Sequence, residues 1–140
     1  MPAEALTVGG ATTCEVDARE PWNATGVLVE QGGVYEVTVL EVTDWRDNTV
    51  KADPQEGWTG PVAKVLGFAC RALARDPRSP MYALVAARGR EGKQFTFVGR
   101  HGTVTGSSAQ PVELLLFAND WAGKYDNNHG RLKAAIKRIA

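Results

Sequence analysis

Apolar and polar positions alternate along most of this chain in short runs broken by turn residues. Cys14-Glu-Val-Asp-Ala18 alternates, and Thr25-Gly-Val-Leu-Val-Glu30 runs into the turn Gln31-Gly-Gly33. Val34-Tyr-Glu-Val-Thr-Val-Leu-Glu-Val42 is the clearest predicted strand, rich in β-branched residues with a period near two. Met81 to Ala87 and Gln94 to Val98 follow as further strands, joined by a hairpin-like turn over Gly89 to Lys93. Gly102 to Pro111 reads as a polar, Gly/Ser-rich loop, and Val112 to Phe117 as a buried strand. One segment departs from the β rhythm. Pro61 to Arg75 sets Val62, Val65, Leu66, Ala69 and Leu73 at helical spacing, with Pro61 suited to a first helical position and Asp76-Pro77 ending the pattern. This predicts one short helix over about 62–75, a lid with Val62, Leu66, Ala69 and Leu73 facing inward. The C-terminus stays open, because Leu132, Ala135, Ile136 and Ile139 fit a helix while Leu132, Ala134 and Ile136 fit a strand. Short, evenly spaced strands predict an all-β sandwich or barrel, built as one domain over 1–140.

Composition narrows the function classes. Sixteen basic and sixteen acidic residues cancel, so no overall field draws in nucleic acid or an anionic membrane. The basic residues Arg131, Lys133, Lys137 and Arg138 read as a solvated face, since no aromatic residues interleave with them. No run approaches the ~20 apolar residues of a membrane span, and no basic region followed by an apolar core opens the chain. The expected protein is therefore soluble, with no nucleic-acid partner and no membrane insertion. Cys14 and Cys70 are too few for a disulfide framework or a zinc site, and their pairing stays open. Asn23-Ala24-Thr25 is a glycosylation sequon.

Candidate chemistry concentrates after the apolar run. Phe117-Ala-Asn-Asp-Trp-Ala-Gly-Lys-Tyr-Asp-Asn-Asn-His-Gly130 turns through Asp120, Asp126, Asn127, Asn128 and Gly130. Carboxylate and amide oxygens gathered on a turn suit Ca²⁺, which takes six to eight oxygen ligands. The same residues suit an ordinary turn, since Asn, Asp and Gly tolerate φ > 0 and close Asx-turns. Residue types alone leave both readings open. His101 and His129 lack a nucleophile or carboxylate partner in a catalytic arrangement, so no enzyme is expected. Trp22 is expected in the core. Trp45, Trp58 and Trp121 are candidate walls of a site at the turn.

These stretches together resemble the galactose-binding-like β-sandwich family (a jelly roll) that includes the calcium-dependent bacterial galactose lectins of PA-IL type. The likeness runs through Cys14 to Ala18, Trp22 to Val29, Gly32 to Val39, Trp45-Arg-Asp47, Tyr82 to Val85 and Phe97-Val-Gly99. It is most specific at Leu114 to Asp120 and Tyr125-Asp-Asn-Asn-His-Gly130. The resemblance implies a Ca²⁺ cofactor and a carbohydrate partner, a galactoside or related glycan, whose hydroxyls complete the coordination. It assigns side-chain oxygens of Asp120, Asn127 and Asn128 to the ion, with the Lys124 carbonyl and a second carbonyl aligned to Trp45, for which Asp47 is the rival. Trp121 and His129 would border the sugar with Asp120, Asn127 and Asp47, and His129 would tune the site with pH. Lectins of this kind carry sugar-binding His and Gln side chains on the loop that here is Pro61 to Arg75, which has neither. The alternative is therefore a structural or protein-interaction module of the same fold that has lost the sugar, such as an accessory domain of a larger enzyme or effector. Weak sites gain avidity by assembly, so a homo-oligomer is compatible with this reading. Location stays open between a bacterial cytoplasm and export without a signal peptide.

Overall fold

The computed structural model describes residues 2–140. Two sheets face each other, as the alternating strands require. The first holds β1 (Glu4–Ala5), β3 (Asn23–Val29), β10 (Val112–Ala118), β7 (Leu84–Arg88) and β8 (Phe95–Phe97), in the order β1-β3-β10-β7-β8. The second runs β2 (Ala11–Asp17), β11 (Asn128–Arg138), β4 (Val34–Asp47), β5 (Val50–Asp53) and β6 (Gly57–Trp58), and β9 (His101–Thr105) also pairs with β4. The helix α1 spans Pro61–Cys70 and tightens into a 3₁₀ turn at Arg71–Leu73. No helix among the described residues is long and apolar enough to cross a membrane.

The sandwich interior takes the inward residues of both sheets: Val27, Leu84, Leu114 and Leu116 from one, and Val16, Val37, Leu132 and Ile136 from the other. The outer face of the first sheet is also covered. Leu115 and Phe117 point there, with Val85 and Ala87, and pack against Trp22 and Phe95. Phe117 meets Trp22 edge-on at 5.8 Å between centroids, and the Arg75 guanidinium lies 3.7 Å over the Phe117 ring. Burial on both faces explains why 112–117 reads as a continuous apolar run.

The open C-terminus resolves as a strand. β11 carries eleven residues and sits between β2 and β4, so the basic side chains of 131–138 alternate along a sheet face. Its register shifts at Gly130, whose φ is 108° and where a Cβ would stand 2.3 Å from the Asp44 carbonyl oxygen. Glycine is therefore required at that bulge. The stretch expected as a loop over 102–111 contains β9, which pairs Thr103 with Glu36 and places His101 opposite Thr38 on an edge rather than in a loop. The sequon is closed. Asn23 is 8% exposed and its amide donates to the carbonyls of Asp17, Glu20 and Leu116. Cys14 and Cys70 are both free thiols.

The inward-facing lid is overturned. Val62 and Phe68 are 72% and 70% exposed, and Val65, Leu66 and Leu73 are exposed as well. The only buried residue of α1 is Gly67. Its missing side chain lets the helix backbone rest on Trp58, where a Cβ would lie 3.3 Å from the indole. Periodicity identifies an apolar stripe but not whether anything covers it. In thermal unfolding, Gly67→Val should cost about 1–3 kcal/mol through overpacking against Trp58, whereas Leu66→Ser should stay within about 0.5 kcal/mol.

Candidate functional site

The site forms where three strand ends meet at one rim of the sandwich. β4 ends at Asp47, β11 begins at Asn128, and the register pairs these two residues. β10 ends at Ala118 and hands on Asn119 and Asp120. The chain from 121 to 127 then turns back, tightening into a 3₁₀ turn at Tyr125–Asn127. Asn119 anchors it from below: its amide donates to the carbonyls of Asp76, Ser79 and Pro80. Tyr125 donates its hydroxyl to the Ala118 carbonyl at 2.6 Å. The turn is thus held before any ligand is considered.

A cavity of about 200 Å³ opens here, lined by Asp47, Asp120, Trp121, Lys124 and Asn127, with Trp58, Cys70 and Met81 opposite. Asp120 is 3% exposed. Its Oδ1 accepts the Trp121 backbone N–H at 2.7 Å, while its Oδ2 is buried with no partner. Asn128 is fully buried, donates its amide N–H to the Ala18 carbonyl at 2.9 Å, and leaves its Oδ1 unpartnered. The two side chains lie against each other. Asp47 accepts the Trp58 indole N–H at 3.2 Å.

Burial pushes the Asp120 carboxyl up to about 6 and the nearby Asp47 charge adds to the rise, while the Trp121 N–H, the adjacent Asn128 side chain and the Lys124 ammonium pull against it. Burial also raises Asp47, against the Trp58 hydrogen bond. Two carboxylates and an amide oxygen thus converge with too few donors. Buried charge of this kind is unfavourable unless paired or bound to a cation.

Of the residues expected at the site, Asp47, Asp120, Trp121, Lys124 and Asn127 border this cavity and Asn128 lies against Asp120. Trp45 is elsewhere. It is 4% exposed, stacks edge-on with Tyr82 at 5.4 Å, and donates its indole N–H to the Tyr82 carbonyl. His129 lines a separate shallow groove with Asp17, Asp44 and Arg131. Cys70 and Met81 had no signal in the sequence, because their place depends on where α1 ends. Among the described residues, no group of three or more His, Cys, Asp and Glu is gathered to hold a metal. Amide and carbonyl oxygens would have to complete any such set.

No protein-family model matches the sequence, and no curated protein matches it. Among solved structures, the N-terminal domain of EclA, a PllA-like lectin, superposes with a TM-score of 0.62. The match covers 90% of this chain and 94% of that domain at 22% identity. The fold is that of a PllA-like lectin domain. This agrees with the all-β sandwich expected from the strand pattern, and the lectin-like sandwich accommodates α1 as an excursion between β6 and β7.

The raised Asp120 carboxyl has a signed consequence. The native state holds this proton more tightly than the unfolded chain, so its contribution to stability is full below about 3.8 and is lost as pH rises through about 6. In chelator, wild type should lose on the order of 2–3 kcal/mol relative to Asp120→Asn between pH 4 and pH 7. Parallel urea melts at both pH values check this, and equal pH slopes in the two proteins would contradict it.

Proposed function

We propose that this domain binds carbohydrate through a Ca²⁺ ion at the rim cavity and carries out no chemistry of its own. The carrying observation is the pair of buried, unpartnered oxygens, Asp120 Oδ2 and Asn128 Oδ1, beside a cavity that also exposes Asp47 and Asn127. All are hard oxygen donors, which fit Ca²⁺ and not a thiolate- or imidazole-seeking metal. Asp120, Asn127 and Asn128 would hold the ion with side-chain oxygens and Lys124 with its carbonyl; the second carbonyl would come from Trp45 or Asp47, of which Asp47 lines the cavity. A bound Ca²⁺ supplies open coordination positions that vicinal sugar hydroxyls can fill. The small volume suits one sugar unit, with Trp58 and Trp121 as apolar walls. The lectin fold supports carbohydrate as the ligand class, and galactosides are the first ligands to try.

A second reading, a protein-interaction module, draws on the apolar side chains that α1 leaves exposed. Calcium separates the two. An ion that binds only the native state stabilises it by about 2.7 kcal/mol at one hundred times its Kd, so saturating calcium should raise Tm by several degrees. Asp120→Asn should fold, abolish that rise, and melt higher than wild type in chelator at pH 7. Titration calorimetry with galactose should show binding only in calcium. A wild-type Tm indifferent to calcium would sink the cation reading and favour the module.

A further inference from the structure

A second cavity, of about 240 Å³, adjoins the first across a shared wall. Trp58 and Met81 line both. The far side of the second cavity is built by α1 and the turn after it, through Lys64, Phe68 and Arg71. The Arg71 guanidinium lies 4.4 Å over the Phe68 ring, and no carboxylate among the described residues pairs with it. Lys64 has only the exposed Glu56, at 3.5 Å, a pairing of small energy that a stronger anion displaces readily.

Charge across the two cavities is balanced, with Lys64, Arg71 and Lys124 against Glu56, Asp47 and Asp120. A divalent cation at the rim would turn this balance positive, and the Phe68 ring beneath the Arg71 guanidinium favours the cation there while leaving its donors free. We propose that the second cavity is a subsite for an anionic group, a carboxylate or sulfate, on the sugar unit next to the one at the cation. The domain then selects acidic glycans over their neutral counterparts. This rests on the carbohydrate reading above.

A glycan array carrying each core in neutral, sulfated and sialylated forms tests it, probed in calcium and in chelator with wild type and Arg71→Met. Methionine keeps an apolar contact over Phe68 and removes the charge. Wild type should bind the anionic member of a pair about fivefold more strongly, as a surface charge contact permits. The advantage should shrink in high salt, and Arg71→Met should bind both members equally at the neutral level. Calcium-dependent binding with no anionic preference, or a preference that survives in Arg71→Met, would overturn the subsite and leave the carbohydrate reading intact. No calcium-dependent binding to any glycan would overturn both.

Discussion

Tyr82 ties the two sheets together at the end where the site forms. It precedes β7 in the first sheet, and its ring reaches into the second. Its hydroxyl donates to the Arg46 carbonyl at 2.6 Å and accepts the His129 backbone N–H at 3.2 Å. Its carbonyl receives the Trp45 indole N–H, and its own N–H donates to the Asn119 carbonyl. The residue is fully buried and has a φ of 70°, a conformation that costs about 1–2 kcal/mol for a side chain of this kind. Hydrogen bonds on all of its polar groups offset that cost. Asp47, Asp120 and Asn128 each lie one or two residues from a backbone group that Tyr82 holds, so this clamp sets the width of the rim cavity.

Against that rigid frame, the carboxylates are the part left unsatisfied. Arg75 holds the turn from the opposite side, with its N–H on the Asp120 carbonyl and its guanidinium on the Pro21 carbonyl and the Tyr125 hydroxyl. The guanidinium is thus taken up by neutral acceptors, and among the described residues no cation forms an ion pair with Asp120. Asp120 is therefore held in place without a salt-bridge partner, which is why burial raises its carboxyl pKa. The tightly held turn and the high carboxyl pKa are two aspects of the same packing.

The fold was legible because burial writes itself into period and composition. The doubly covered β10 appeared as an unbroken apolar run, and β4 as alternating β-branched residues. The turn from Asp120 to Gly130 was legible for a different reason: Gly130 occupies a backbone position few others accept, and Asp120 and Asn128 are polar side chains buried beside an apolar strand. The orientation of α1 was not legible, since exposed and buried apolar stripes share one periodicity. Nor was β9, whose polar, glycine-containing sequence pairs only because β4 offers it an edge. The site walls at Cys70 and Met81 depend on long-range packing that no local pattern carries.

The excursion between β6 and β7 has a consequence for the cavity wall. Trp58, Cys70 and Met81 shape the rim cavity, yet α1 touches the sandwich chiefly through Gly67 on Trp58 and through its last carbonyl, which accepts the Trp121 indole N–H at 3.0 Å. Substitutions on the exposed face of α1 leave the inter-sheet core untouched. The wall that α1 lends to the cavity can therefore be altered while the oxygen-rich turn stays locked to both sheets. The rim cavity thus joins a rigid turn at one end of the chain to a wall drawn from a separate segment, Trp58, Cys70 and Met81.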